Sequence, residues 1–319
     1  KSVARIEKGT LIMNYTGHGG EVGWAHERIL ELSDINSWTN YDKMSVFVTA
    51  TCEFARYDDP GRISAGEYVF LNPDGGGVAL FTTARATYGG SNLSLNRELY
   101  KYAFEKQQDG YRTMGDLIML AKEGSSSSTN DKKFVLLGDP ALKISYPDYR
   151  VETIEINQQD ISENADTLKA LSEVDIAGEI VDASGNRIKD FDGTLYVSVF
   201  DKKTEVTTLG QDNSSAPRTF KLRKNVIYKG KTQVNKGEFS FSFIVPKDIS
   251  YRFGHGKISY YAENGLKDAN GFYENIIIGG YNYNATADRS GPDIELFMND
   301  TIFNAGDITS PNPVLVARV

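Results

Sequence analysis

Two short apolar runs near the N-terminus each end in a residue that can do covalent chemistry. Residues 11–15 run into a glycine-rich turn that holds His18, and residues 45–50 run into Cys52, the only cysteine of the chain. Both runs have the length and composition of buried strands. In open α/β sheets the carboxyl ends of neighbouring parallel strands open onto one crevice, so we expect His18 and Cys52 to meet there.

A histidine beside a cysteine suits nucleophilic catalysis. The imidazole can take the thiol proton and leave a thiolate, and the two residues need to be close in space only. Glycine lets the backbone approach a substrate, so the amides of Gly19 and Cys52 are candidates for an oxyanion hole. Alternatively, Cys52 is a small buried apolar residue and His18 a turn residue. The triplet Gly254-His255-Gly256 has no cysteine after it and predicts only a hairpin turn.

Residues near the two candidates could border a substrate cleft. Glu21, Trp24 and His26 follow His18 closely, and Thr87 with Tyr88 follows the apolar run 78–83, which predicts a third buried strand. The spacing of His18, Glu21 and His26 does not match a zinc-binding helix, so we expect no metal site and no cofactor. The pair Asp58-Asp59 is compatible with structural calcium, but such pairs are more often plain turn residues.

Three segments together resemble the gingipain family of cysteine peptidases, relatives of the caspases: residues 14–20, 49–53 and 136–144. The resemblance implies an α/β caspase-like fold of three layers around a mostly parallel sheet. It also implies that His18 is the catalytic histidine, Cys52 the nucleophile, and the amides of Gly19 and Cys52 the oxyanion hole. The acidic residue that orients the histidine in this family precedes this strand. Because only ten residues precede Leu11, we expect the C-terminal part of the peptidase domain here, without that carboxylate.

The end of the chain, at residues 290–300 and 310–317, is similar to the sortase-type signal peptidases of type IX secretion within this family. That resemblance implies exported protein substrates with a C-terminal sorting domain, outer-membrane secretion components as partners, and a position on the surface of a Gram-negative cell. The new C-terminus would pass to a surface glycolipid or to water. A general gingipain-like protease and a non-catalytic surface scaffold with a truncated peptidase domain are the alternatives.

Composition and patterning set the domain organisation. The 319 residues suit about two domains, and the net charge of −8 disfavours nucleic acid and anionic membranes as partners. No run of 18 apolar residues occurs, and one cysteine excludes an internal disulfide framework. From residue 151 onward short alternating runs predict an immunoglobulin-like β-sandwich. We therefore expect a peptidase part at 1–147, a sandwich at 148–286 and the start of a further β domain at 287–319.

Local signals fix several element boundaries. Capping boxes predict helices that begin after Ser64 and after Thr113, and Ser33 is expected to cap a further helix. Alternation predicts strands at 174–181, 193–200, 237–245, 257–262 and 273–278, and the apolar runs 134–137 and 141–144 are expected to close the first domain around a turn at 138–140.

Overall fold

The computed structural model describes residues 2–107, 110–125, 128–163, 167–211, 215–285, 294–303, 306–309 and 311–318. The chain divides into two compact units, Lys1–Tyr146 and Pro147–Val319, called here the N-terminal and C-terminal units. The expected boundary at 286–287 lies outside the described residues. The division into three domains therefore stays a prediction.

The N-terminal unit combines short strands with helices. Its strands are β1 Ile12–Thr16, β2 Gly19–Gly20, β3 Gly23–Trp24, β4 Leu30–Glu31, β5 Ser45–Ala50, β6 Gly77–Thr83 and β7 Phe134–Leu137. Its helices are α1 Ser2–Glu7, α2 Leu32–Asn36, α3 Ala65–Leu71, α4 Gly89–Ala103, α5 Met114–Gly124 and α6 Ser128–Asp131, with a 3-10 turn at Tyr41–Lys43.

The main sheet of this unit has the strand order β1–β5–β6–β7. Strands β1, β5 and β6 are parallel, and β7 is antiparallel to β6. Val46 and Val48 of β5 pack in a cluster with residues of α4 and α5, whereas Phe47 packs on the other face with residues of α2 and α3. Because successive side chains of a strand point to opposite faces, helices cover both faces and form the predicted three layers.

Capping decides where the helices begin. The predicted capping boxes at Ser64 and Thr113 are confirmed, since the carboxylates of Glu67 and Asp116 each accept a hydrogen bond from the backbone amide of the capping residue. The expected cap at Ser33 is wrong, because Glu31 occupies the N-cap of α2 and pairs with Asp34.

Two short apolar runs around the turn at 138–140 behave differently. The run 134–137 forms β7, whereas the run 141–144 forms no strand and contributes a single bridge between Lys143 and Thr113. An apolar run of four residues does not by itself recruit a sheet partner.

The C-terminal unit is built from strands. They are β8 Tyr149–Ile156, β9 Gln159–Asp160, β10 Leu168–Ala170, β11 Glu173–Val181, β12 Gly193–Phe200, β13 Thr204–Thr207, β14 Thr219–Leu222, β15 Val226–Val234, β16 Glu238–Ile244, β17 Gly254–His255, β18 Lys257–Glu263, β19 Asp268–Tyr273, β20 Ile277–Tyr281, β21 Glu295–Met298 and β22 Leu315–Arg318. A 3-10 turn spans Ile161–Glu163.

The largest sheet of this unit follows the order β15–β12–β18–β19–β8–β11–β16, and a smaller sheet has the order β10–β20–β17. Leu168 of β10 and Ile278 of β20 are fully buried in the same apolar cluster as Leu195 and Ile258 of the large sheet. The expected change from an α/β unit to a β-rich unit is therefore confirmed. The continuous strand expected at 273–278 is wrong, because β19 ends at Tyr273 and β20 begins at Ile277. The immunoglobulin-like topology stays a prediction.

The last described segments form an antiparallel pair of β21 and β22. Both strands lie within the segment 287–319, for which the sequence predicts the start of a further β domain. Among the described residues, no helix has the length and apolarity needed to cross a membrane.

Candidate active site

The register between β1 and β5 brings the two candidate residues to one edge of the sheet. Thr16 lies opposite Ala50 in the parallel pair, and the Gly17 amide donates to the Ala50 carbonyl at 3.4 Å. His18 and Cys52 each follow their strand by the same offset from this pair. They therefore leave adjacent parallel strands side by side.

The turn that holds His18 packs directly on the residue before Cys52. A Cβ atom built on Gly19 would lie 2.5 Å from the Thr51 hydroxyl oxygen and 2.9 Å from the Gly23 carbonyl oxygen. Only glycine fits this approach without displacing a neighbour. Thr51 is fully buried, and its hydroxyl has no hydrogen-bond partner among the described residues.

Backbone hydrogen bonds show which side of β5 the Cys52 amide faces. The Val46 amide donates to the Leu11 carbonyl at 3.1 Å, so the even-numbered residues of β5 direct their amides towards β1. On the other side, the Glu53 amide donates to the Arg85 carbonyl at 3.3 Å. Cys52 continues the even-numbered series, which directs its amide to the side of β1 and the His18 turn.

The Gly19 amide is left out of the hairpin formed by β2 and β3. The Ala25 amide donates to the His18 carbonyl at 2.8 Å, and Gly19 is the next position, paired with Trp24. Hydrogen-bonded and non-hydrogen-bonded pairs alternate along an antiparallel ladder, so the Gly19 N–H points out of the hairpin. This amide and the Cys52 amide therefore have no ladder partner and lie near Thr51.

The Cys52 side chain is half-buried and contacts Thr87, in the loop after β6. The Thr87 amide donates to the sulfur at 3.4 Å, and the sulfur lies 3.7 Å from the Thr87 carbonyl oxygen. His18 is exposed, and within the ranges that the structure describes no hydrogen bond joins its ring to the sulfur. In this structure the sulfur is thus held by the Thr87 loop.

Glu21 links two loops through its carboxylate and its backbone carbonyl. Its carboxylate is 13% exposed and accepts hydrogen bonds from Arg56 at 2.8 Å and Arg62 at 3.0 Å. Its carbonyl accepts from the Ala65 amide at 2.7 Å. These contacts join the hairpin after His18 to the segment after β5. Sequence reasoning missed the two arginines, because neither lies near Glu21 in the chain.

Trp24 belongs to the core beneath the hairpin. It is 2% exposed and stacks on Tyr15 with ring centroids 4.6 Å apart, and it also contacts Phe47 and Phe54. The Tyr15 hydroxyl donates to the His18 carbonyl at 2.6 Å. This aromatic packing supports the backbone of the turn.

The hairpin borders a cleft of about 710 Å³ that is lined by His18, Gly19, Trp24, His26 and Arg28, among others. The rings of His18 and His26 are 6.0 Å apart between centroids. His26 thus lies where the sequence suggested, at the border of a cleft, and a second imidazole is close to the candidate base.

The two residues expected from the third loop differ in exposure. Thr87 contacts the Cys52 sulfur, whereas the Tyr88 side chain is 69% exposed and lies 4.6 Å from the Lys133 ammonium, measured to the ring centroid. Sequence reasoning missed Asn92 and Asn130, which hydrogen-bond to this loop. No local pattern marks them, because their partners lie in other elements.

Left-handed backbone conformations occur around both candidate residues. Ala25 and Arg28 flank His26 with φ of 62° and 53°, and Glu53 follows Cys52 with φ of 49°. Such conformations are uncommon outside glycine and asparagine, and they cluster at functional sites.

The acidic pair after β5 is used in ion pairs and turns. The Arg85 guanidinium hydrogen-bonds to Asp58 and holds the pKa of that carboxyl below its usual range. The Asp59 carboxylate accepts from the Gly61 amide at 2.9 Å. Across the part of the chain that the structure describes, no group of three potential ligands could hold a metal ion. The calcium expectation therefore gains no support.

Comparison with known proteins identifies the class to which this site belongs. Residues 2–145 match the model of peptidase family C25. The N-terminal unit belongs to this family of gingipain-like cysteine peptidases, which confirms the resemblance seen in the sequence.

Among solved structures, dimeric latent PorU from Porphyromonas gingivalis is 32% identical, over 76% of this chain and 24% of the PorU chain, with a TM-score of 0.46. The Arg-specific cysteine proteinase gingipain R is 13% identical over 83% of this chain and 54% of its own, with a TM-score of 0.39. The complex of Porphyromonas gingivalis RgpB pro- and mature domains is 13% identical over 84% of this chain and 56% of its own, with a TM-score of 0.40. Among curated proteins none matches the chain.

Proposed function

We propose that this chain carries the reaction centre of a cysteine endopeptidase in which Cys52 is the nucleophile and His18 the general base and then the acid. The imidazole takes the thiol proton, and the thiolate adds to the carbonyl carbon of the scissile peptide bond. The C–N bond breaks as His18 returns the proton to the leaving amine. The acyl group stays on Cys52 as a thioester until water or another nucleophile releases it.

The shared register of β1 and β5 carries this proposal, because it brings His18 and Cys52 to the same edge at the same offset from a paired position. The exposure of His18 and the partial burial of Cys52 suit a base and nucleophile that approach a peptide from one side. The His18 ring makes no hydrogen bond to the sulfur among the described residues, and catalytic contacts of this kind are often loose without substrate.

The backbone amides of Gly19 and Cys52 are proposed as the oxyanion hole. Neither is used by the strand ladders described above, and Gly19 lies against Thr51. Amides fixed in this way stabilise the negative charge that develops on the carbonyl oxygen, without reorganisation during the reaction.

The loop after β6 supplies the proposed pocket residues Thr87 and Tyr88. For Glu21 and Trp24, the contacts with Arg56, Arg62 and the aromatic core favour a supporting role over a substrate contact.

The motifs at the end of the chain extend the proposal to a sortase-type C-terminal signal peptidase. Its substrates would be proteins exported by type IX secretion that carry a C-terminal sorting domain, and its partners outer-membrane secretion components. It would act on the surface of a Gram-negative cell and pass the new C-terminus to a glycolipid or to water. The C-terminal unit is proposed as an immunoglobulin-like sandwich, since its largest sheet and the sheet β10–β20–β17 share one core.

A non-catalytic scaffold is the second candidate from a different class. One observation favours it: the Cys52 sulfur is engaged by Thr87 and not by His18. A general gingipain-like protease is the nearest alternative within the same chemistry.

The test uses the natural full-length protein and a purified exported protein that carries a sorting domain. We expect cleavage by the wild type and none by the Cys52→Ala variant, because no other group can form the thioester. The mass of the new C-terminus separates hydrolysis from transfer to an acceptor.

Three other outcomes would contradict this proposal in different ways. Cleavage by Cys52→Ala would refute the nucleophile. Equal cleavage of unrelated peptides would indicate a general protease. A wild type that cleaves nothing would favour the scaffold.

A further inference from the structure

We propose that Thr87 is a positioning residue for the Cys52 sulfur and that a buried pair, Asn92 and Asn130, fixes it in place. This inference rests on the proposed function in taking Cys52 as the nucleophile. It assigns the loop after β6 a role in the reactivity of the thiolate.

Two opposite hydrogen-bonding groups of the Thr87 backbone contact the same sulfur, and the Thr87 hydroxyl oxygen lies 3.9 Å from it. Its amide donates to the Cys52 sulfur at 3.4 Å, and its carbonyl oxygen lies 3.7 Å from that sulfur, within reach of the thiol proton. In the resting thiol both contacts can form. When the proton leaves for His18, the carbonyl contact is lost and the amide contact strengthens, because hydrogen bonds to an ionised acceptor are stronger than neutral ones.

The Thr87 hydroxyl anchors the loop to β5. It donates to the Thr51 carbonyl at 2.9 Å and accepts from the Asn92 side-chain amide, also at 2.9 Å. Thr51 precedes Cys52, so the hydroxyl and the backbone amide of Thr87 bind neighbouring residues of the nucleophile strand. The direction of the amide towards sulfur is thereby fixed at two points.

Asn92 and Asn130 complete the support from α4 and α6. Asn130 donates to the Asn92 side-chain oxygen at 3.1 Å and accepts from the Tyr88 amide at 3.0 Å. Asn92 is 4% exposed and Asn130 is 1% exposed. A buried amide that lost such a partner would carry the full cost of desolvation, so this network strongly favours a single arrangement of the Thr87 loop.

The test measures the rate at which iodoacetamide alkylates Cys52 as a function of pH. It uses the natural full-length protein without substrate, and the tryptic peptide 44–56 reports this cysteine alone. Thr87→Val removes the hydroxyl at nearly constant volume, and Thr87→Ser keeps it. We expect Thr87→Val to move the midpoint of the rate profile upward by about 0.5–1 pH unit, with a roughly three- to tenfold slower reaction at pH 7.

Thr87→Ser should restore the wild-type midpoint. Arg97→Ala, at an exposed position of the same helix α4, is the matched control and should leave it unchanged. If Thr87→Val does not fold, Asn92→Leu removes the donor to the Thr87 hydroxyl without adding a charge and should give the same upward shift.

A wild-type midpoint in Thr87→Val or, where that variant does not fold, in Asn92→Leu would overturn the inference. A uniform change in rate at every pH, with no shift of the midpoint, would do so as well, because a merely structural role changes access to the sulfur only. Failure of the proposed function is distinguishable, since it appears in the cleavage assay, either as cleavage by Cys52→Ala or as no cleavage by the wild type, and needs no alkylation measurement.

Discussion

The two Gly-His-Gly triplets of this chain, at 17–19 and 254–256, have the same sequence but different structural surroundings. His18 follows a parallel strand, and Gly19 beside it packs on Thr51. His255 lies within the short strand β17, opposite Ile277 of the antiparallel strand β20. The hairpin turn predicted for the second triplet is therefore wrong, because Gly254–His255 forms a strand.

In each of the two triplets one glycine has no room for a side chain, but the neighbours that exclude it differ. A Cβ atom on Gly256 would lie 2.3 Å from Ile278 and 2.8 Å from the Phe200 carbonyl, so the second triplet is confined by the core of the β-rich unit. Gly19 is confined by the residue that precedes a cysteine. The tripeptide alone thus carries little information, whereas the strand that ends beside it decides whether chemistry is available.

Replacing the two histidines should give the largest contrast. In the full-length protein we expect His18→Ala to lower the cleavage rate by about 10²–10⁴-fold, the usual contribution of a general base. His255→Ala should cleave at the wild-type rate, because His255 is exposed and far from this chemistry in the chain. Initial rates of cleavage measure both. Equal losses would mean that the two triplets do not differ as their strands indicate.

Adding one methyl group to each confined glycine should separate stability from activity. Gly19→Ala and Gly256→Ala each force a contact, which typically costs about 1–3 kcal/mol of unfolding free energy. Only Gly19→Ala should also slow cleavage, since it displaces a proposed oxyanion amide. Urea unfolding with rate measurements tests this; slower cleavage by folded Gly256→Ala would argue against it.

Glu21 joins two loops near the first triplet through ion pairs with arginines. Glu21→Gln keeps the shape but removes the charge shared with Arg56 and Arg62, and we expect a loss of about 1 kcal/mol in unfolding free energy, discounted for the exposed arginines. Cleavage should slow with it, because the hairpin after His18 loosens. Glu27→Gln, at an exposed position of the same loop, is the control and should match the wild type.

A pair of tyrosine substitutions should give the smallest effect. Tyr15→Phe removes a hydrogen bond to the His18 carbonyl, and Tyr251→Phe removes one to the Lys247 carbonyl at 3.0 Å. Each should lower the unfolding free energy by about 0.5 kcal/mol. We expect a measurable fall in cleavage for Tyr15→Phe alone, and an identical response from both variants would contradict the special role of the first turn.

Elements with a strong local signal could be predicted from the sequence. The strand at 193–200 has the predicted bounds as β12, and the box at Thr113 begins α5 where expected. Alternation and capping are local effects, so a single chain suffices to read them. Glu31 is the N-cap of α2 in place of Ser33, because its backbone amide donates to the Asp34 carboxylate three residues later at 3.0 Å.

The site was predictable only in part. The pairing of His18 with Cys52 follows from two strand ends, which the sequence marks. The contacts of Thr87, Asn92 and Asn130 join the loop after β6 to α4 and α6. The bond between Asn92 and Asn130 spans 38 residues, a separation over which no periodicity encodes side-chain bonds. The same holds for the arginines that bind Glu21.

The side-to-side alternation of β5 also limits how this segment can change its length during evolution. Even-numbered residues direct their amides to β1, and odd-numbered ones to β6. Inserting or deleting one residue between Ser45 and Ala50 would reverse this parity and turn the Cys52 amide towards the wrong neighbour. Homologous genes should therefore tolerate substitutions in this strand far more readily than single-codon insertions or deletions.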